Sequence, residues 1–306
     1  MLRPLAGVLP IAHTPFTAAD AIDYASLQKQ IDWAFEVGAN GICTGMVSEL
    51  LRLTHDERLE LTDQLVTFAA GRGPVVMSVG AESVKQALVF TRRAAAAGCD
   101  AVMAVPPISA ALPDHALIHY YCSLADESPL PVIVQDASGY VGKSISLDVC
   151  VDLLRRYGNE KILFKPEASP IGPLLSELRS RTHGQAKIYE GSGGILLIDS
   201  YRRGIAGTMP GMEVLEAIVV IWQALARGDD RAAYRLYFPV CALVALQLQA
   251  GLDGFLAVEK YILHRRGLFA TKARRRPYSW SLDPETQAEI DRLLEILQQE
   301  LKRPSP

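Results

Sequence analysis

The chain has 306 residues, 49% of them apolar and 21% charged, with a formal net charge of −3. That length holds one large core or two smaller ones, and the balanced charge excludes the basic footprint of a nucleic-acid binder. The one basic cluster, Lys272 with Arg274, Arg275 and Arg276, reads as a solvated turn.

From residue 5 to about 227, short apolar runs alternate with longer helical patterns. Strands are predicted over 7–12, 41–44, 74–79, 101–105, 131–135, 162–165, 187–189 and 206–209. Most are nearly continuous apolar runs, as expected of parallel strands covered on both faces. Between them, Thr54 with Glu57 and Ser83 with Gln86 have the spacing of capping boxes, and Gly38, Gly98 and Gly204 mark helix ends. Eight strand–helix units in one series predict an α/β fold, a TIM (β/α)8 barrel rather than a doubly wound sheet. After the eighth unit, helices are predicted over 229–250, 254–266 and 283–302, the last opened by Asp283-Pro284. The expected organisation is a barrel over 1–227 and a C-terminal three-helix extension over 228–306 packed on it.

The five cysteines (Cys43, Cys99, Cys122, Cys150, Cys241) are scattered without Cys-x-x-Cys spacing, which excludes a disulfide framework and a structural zinc site. The opening Met-Leu-Arg-Pro-Leu is not signal-like, and no unbroken apolar run approaches the roughly 18 residues that span a bilayer. A cytoplasmic protein without membrane or nucleic-acid partners is expected.

In such barrels, reactive groups stand at the C-terminal ends of the strands. The prominent one is Lys165, ending the apolar run Ile162-Leu-Phe-Lys165. A buried lysine is costly unless neutral or paired, and a neutral amine is what attack on a carbonyl requires. A lysine reaching the barrel rim, or salt-bridged to a strand-end acid, is the competing reading. Glu167 lies two residues on and shares its direction, with Pro166 marking the strand's end. Glu190 ends the next strand, before the turn Gly191-Ser192-Gly193-Gly194, whose amides suit an anionic ligand. Glu190 also reads as an ordinary loop acid, His13 as a packed or rim histidine, and Tyr140 as a packed loop tyrosine.

Together these features resemble the dihydrodipicolinate synthase/N-acetylneuraminate lyase family of class I aldolases and dehydratases. The likeness rests on Thr14-Pro15-Phe16, Ser48-Glu49 with Leu53-Thr-His-Asp-Glu-Arg58, Pro131-Val-Ile-Val, Phe164-Lys165, Gly204-x-x-Gly207, and Lys260…Arg266-Gly267…Arg276-Pro277. The resemblance implies that Lys165 is the Schiff-base residue. The family's Gly-Thr-Thr-Gly-Glu segment is here Gly45-Met-Val-Ser-Glu49, and its strand-five tyrosine is Gln135. Its tyrosine pair after strand four is absent, and the arginine that holds aspartate semialdehyde falls on Tyr140. These departures speak against a lysine-biosynthesis synthase.

The L-2-keto-3-deoxyarabonate dehydratase branch is more similar. It shares Gln135-Asp136, a glutamate two residues after the lysine and one ending strand seven, here Glu167 and Glu190. The resemblance implies a Schiff-base lyase on a 2-keto-3-deoxy sugar acid, a hydro-lyase before a pyruvate-releasing aldolase, with Glu167 and Glu190 sharing the acid–base work. The substrate's carboxylate would lie at Val47 and Ser48, with Gln135 and Ser192 as further contacts. No metal or organic cofactor is required, since the imine stabilises the carbanion. A homo-oligomer, tetramer or dimer, is implied. A non-catalytic barrel that binds a keto acid remains the alternative of another class.

Overall fold

The computed structural model describes residues 3–303. Strand β1 (Gly7–Val8) leads to helix α1 (Tyr24–Glu36), β2 (Ile42–Cys43) to α2 (His55–Ala69), β3 (Val75–Ser78) to α3 (Val84–Ala97), and β4 (Ala101–Ala104) to α4 (Asp114–Glu127). The alternation continues through β5 (Val132–Asp136), α5 (Leu147–Tyr157), β6 (Ile162–Pro166), α6 (Ile171–Arg181), β7 (Tyr189–Glu190), α7 (Leu197–Arg202), β8 (Gly207–Thr208) and α8 (Leu215–Ala226). All pairings between these strands are parallel. Strands β2 to β6 run in sequence order, and β1-β8-β7 form a second run. Single bridges, Ile11 to Cys43 and Phe164 to Ile188, join the two runs into a ring. The chain is therefore the expected TIM barrel. Its regular strands are shorter than the apolar runs that announce them, because at two seams of the staggered barrel pairing thins to one bridge.

Strand alternation sorts the core into two layers. Leu9, Ile11, Cys43, Val76, Met103, Ile133, Leu163, Tyr189 and Met209 fill the barrel axis. Their neighbours Val8, Ile42, Val75, Val102, Val132, Val134, Ile162 and Phe164 face outward and join the helices in a larger core. At the start of α2, Thr54 and Glu57 form the reciprocal capping box, whereas Ser83 caps α3 by its hydroxyl, accepting from the Gln86 amide. Gly38, Gly98 and Gly204 hold positive φ as their positions demand.

Three more helices follow: α9 (Asp230–Gln247), α10 (Gly251–Arg265) and α11 (Pro284–Lys302). Asp229 and Asp283 cap the first and last of them. The corner between α9 and α10 needs Gly254, where a Cβ would stand 2.1 Å from the Gln247 carbonyl oxygen. The stretch from Asp230 to Arg265 has the length and hydropathy of a membrane-crossing segment, which a search for unbroken apolar runs overlooks. In the structure its apolar side chains, Leu236, Leu243, Phe255 and Ile262 among them, lie in the core.

The basic cluster is not the solvated turn that the sequence suggests. Arg274 donates to the carbonyls of Asp253 (3.1 Å) and Trp280 (2.7 Å). Arg275 pairs with Glu57 at 2.6 Å and with Asp20 at 3.3 Å. Charges on this segment thus strap the extension to the loops of the barrel mouth. Beneath the strap, Lys260 of α10 forms a wholly buried ion pair with Glu49 and sits 4.3 Å from the centre of the Phe16 ring.

Candidate active site

The same alternation decides what reaches the mouth. Leu163 lies on the barrel axis, so Lys165 and then Glu167 are the next inward positions on β6. By the same count Gln135 follows Ile133, His13 follows Ile11, Gly191 follows Tyr189 and Gly211 follows Met209. A cavity opens here, with Lys165, Glu167, Gln135, Tyr140 and Glu259 as its polar wall and Val47 and Gly191 beside them.

Lys165 and Glu167 are 96–97% shielded from solvent, and Lys165 Nζ lies 2.8 Å from Glu167 Oε2. Gln135 Nε2 donates to the same oxygen at 2.8 Å, while Gln135 Oε1 is buried without a partner. Burial first, opposed by Lys165, holds the Glu167 carboxyl above the ordinary carboxylate range. The amine and the acid are in direct hydrogen-bonding contact. Gly191 makes the enclosure possible: a Cβ there would stand 2.6 Å from Lys165 Nζ and 2.7 Å from Glu167 Oε1.

Other expected site residues fall elsewhere. Glu190 alternates with the axial Tyr189 and pairs in register with Thr208, so it does not line the cavity. Its Oε2 accepts from the Thr208 hydroxyl at 2.6 Å and its Oε1 from the Ser192 amide at 2.5 Å. The carboxylate ties the β7–β8 seam and the glycine turn together, and Glu167 and Tyr140 feel its charge. Ser48 is also turned away. Its hydroxyl donates to the Ala12 carbonyl and accepts from the Gly45 amide, and its own amide donates to the Gly45 carbonyl, which leaves Met46 and Val47 as the cavity-facing members of that turn. Ser192 caps the following turn, its hydroxyl accepting from the Leu196 amide at 2.9 Å.

Glu259 is the residue that sequence reasoning passed over, while Tyr140, expected as a packed loop tyrosine, both packs and lines the cavity. Tyr140 stacks edge-on against Phe255 of α10, 5.4 Å between ring centres, and burial foremost raises its phenol well above the usual range. Glu259 belongs to a buried polar cluster between the barrel and the extension. His13 Nε2 lies 2.6 Å from Glu259 Oε2, and Gln30 clamps the His13 backbone from both sides (3.0 and 2.9 Å). Gln247 Nε2 donates to Glu213 Oε1 at 2.8 Å, and Glu213 Oε2 is buried without a partner.

Burial lowers His13 to about 4 and raises Glu213 to about 7 and Glu259 well above the carboxylate range. Burial thus disfavours the charged forms of both partners in the His13–Glu259 hydrogen bond. Ligand atoms of His13, Glu213 and Glu259 lie within 4.8 Å of one another, close enough to surround a cation. A metal-bound histidine passes its second N–H to a partner, however, and His13 Nδ1 has none, so these donors fit a hydrogen-bonded cluster better. A signal for Glu259 existed in the sequence: Glu259-Lys260 is a charged pair inside the apolar run from Phe255 to Leu263.

A closed parallel barrel whose sixth strand ends in an enclosed lysine is the architecture of the lysine-bearing aldolase type. The chain belongs to the dihydrodipicolinate synthetase family, whose model matches residues 4–297. It is 27% identical to the L-2-keto-3-deoxyarabonate dehydratase of Azospirillum brasilense, over 93% of this chain and 92% of that one. It is 26% identical to the 4-hydroxy-tetrahydrodipicolinate synthase of Methanothermobacter thermautotrophicus, over 78% of this chain and 85% of that one. Among solved structures, the dihydrodipicolinate synthase of Rhodopseudomonas palustris superposes with a TM-score of 0.87 at 26% identity, covering 97% of this chain and all of that one.

Proposed function

We propose that this chain is a Schiff-base lyase that dehydrates a 2-keto-3-deoxy sugar acid. The observation that carries the reading is the dry Lys165–Glu167 contact at 2.8 Å, at the inner end of β6. Glu167 takes a proton from the Lys165 ammonium, and the free amine adds to the C2 carbonyl. Glu167 returns that proton to the carbinolamine hydroxyl, which leaves as water, so that a protonated imine and an ionised Glu167 result, with the substrate carboxylate against the turn at Val47. The imine acidifies C3, and Glu167 Oε1, the oxygen not engaged by Lys165 and Gln135, accepts the C3 proton. The resulting enamine expels the C4 hydroxyl, and hydrolysis frees the product.

Gln135 in place of a tyrosine supports elimination over cleavage, and the relative named L-2-keto-3-deoxyarabonate dehydratase supports the substrate class. Pyruvate-releasing aldol cleavage is the second reading, favoured by one observation: the Tyr140 phenol lines the cavity and could serve the C4 hydroxyl. We place the activity in the cytoplasm and expect a homo-oligomer, a dimer or tetramer.

Borohydride trapping with pyruvate and with 2-keto-3-deoxy acids, read by intact mass, tests the imine. Lactate dehydrogenase-coupled detection of pyruvate tests its fate. Adduct formation with no pyruvate released is the expected result. Stoichiometric pyruvate would hand the site to the aldolase reading, and no adduct with any keto acid would end the Schiff-base reading.

A further inference from the structure

Dehydration across C3 and C4 needs two proton-handling groups, a base for C3 and an acid for the departing hydroxyl, and Glu167 supplies only the first. Glu190, the obvious second carboxylate, lies off the cavity with both oxygens hydrogen-bonded. The other carboxylate in the cavity wall comes from outside the strands. We propose that Glu259, carried on α10, is the acid that protonates the leaving C4 hydroxyl; the assignment rests on the dehydratase reading above.

Three observations converge on it. Glu259 lines the same cavity as Lys165, Glu167 and the Tyr140 phenol. Its position is across the mouth from the amine: it leans on His13, above β1, and on Gly211, above β8, while Lys165 ends β6. Its two oxygens are unlike. Oε2 is held by His13 at 2.6 Å, whereas Oε1 stands 2.8 Å from where a Cβ of Gly211 would be. Only the missing side chain at 211 lets that oxygen reach the cavity edge.

The surroundings favour the protonated form. Glu259 is 1% exposed, its neighbour Glu213 is a second acid, and the adjacent Lys260 is turned to Glu49. Burial accordingly keeps the carboxyl neutral at a pH where a solvated glutamate is ionised. In the elimination, the enamine pair forms the C3–C4 double bond as the C4–O bond breaks. The oxygen takes the Glu259 proton and leaves as water, and the carboxylate regains a proton from solvent when product departs. The extension thus contributes a reacting group as well as a cover.

The test separates the two proton transfers. In D2O, wild-type enzyme with 2-keto-3-deoxyarabonate should exchange C3 hydrogen and release water. Glu259→Gln keeps a hydrogen-bonding partner for His13 but is not an acid. It should lose roughly 100-fold or more in dehydration while C3 exchange and the borohydride adduct persist. Exchange and dehydration falling by the same factor would assign Glu259 a structural role and overturn the proposal, and so would undiminished dehydration. Glu259→Asp, with the acid retained, should recover part of the loss; no recovery beyond the Gln level speaks against acid catalysis. Wild-type enzyme that gives no adduct fails at Lys165 instead, and wild-type enzyme that gives adduct but pyruvate removes the leaving hydroxyl and with it this role for Glu259.

Discussion

The two sides of the barrel mouth are built differently. On the β6 side, Lys165, Glu167 and Gln135 stand on consecutive inward positions of paired strands, so register alone brings them together. On the β1–β8 side, His13, Glu213 and Glu259 meet only because α10 is folded back over the barrel, held by the Lys260–Glu49 pair and the Arg275 strap. One side depends on local backbone geometry, the other on tertiary docking. The first should therefore respond to substitution in chemistry and the second in stability as well.

The largest contrast comes from Lys165→Ala, which should abolish the borohydride adduct and lower turnover by roughly 10⁴-fold or more. An adduct persisting at another lysine would break the comparison at its centre. Next, Glu167→Gln should lower turnover by about 10²–10⁴-fold, whereas Glu190→Gln, which removes one structural hydrogen-bond arrangement, should cost about tenfold or less. Equal losses in steady-state assays would return Glu190 to the reacting pair.

On the docked side, Lys260→Met removes the buried cation from Glu49 Oε1, leaving the carboxylate the longer Arg52 contact at 3.4 Å, and should destabilise by up to about 3–5 kcal/mol in urea titrations. Adding Glu49→Gln should restore much of that loss, because the penalty is the uncompensated charge.

The smallest effect is pH-dependent. Folding raises Glu213 from 4.5 to about 7, so the folded chain holds this proton more tightly than the unfolded one. Its favourable contribution is complete below 4.5 and is lost as pH rises through 7. His13 works in the opposite sense: its pKa falls from 6.5 to about 4, so that stability is lost as pH drops through that window. Glu213→Gln should thus gain on wild type between pH 5 and 8, by an amount on the order of 1–3 kcal/mol, and a flat difference across that range would contradict the assignment.

What the sequence made legible divides along the same line. Buried parallel strands announce themselves as apolar runs, and counting in twos from Leu163 carries Lys165 and Glu167 to the mouth. The same count applied to β7 would have warned that Glu190 shares a face with Thr208 and not with Tyr189. Ser48 kept its place in the chain, but a hydroxyl beside a tight turn is readily taken by the turn's own backbone, as its bonds to Ala12 and Gly45 illustrate. Glu259 lies 94 positions beyond Lys165 in the chain, and no local periodicity links a helix face to a strand end at that separation. The basic cluster misled for a related reason: Arg274 and Arg275 look solvent-bound until the loops they clasp are in place.

The bare α-carbon at Gly191 has a bearing on handedness. Under the proposed Schiff-base reading, an amine walled by main chain on that side attacks a carbonyl from the other, so the planar adduct would present unequal faces to the mouth. The two hydrogens on the carbon next to the imine then cease to be equivalent, and one of them departs. Since backbone rather than a side chain draws this distinction, that reading expects substitutions around the rim to retune substrate choice while the sense of the reaction stays fixed.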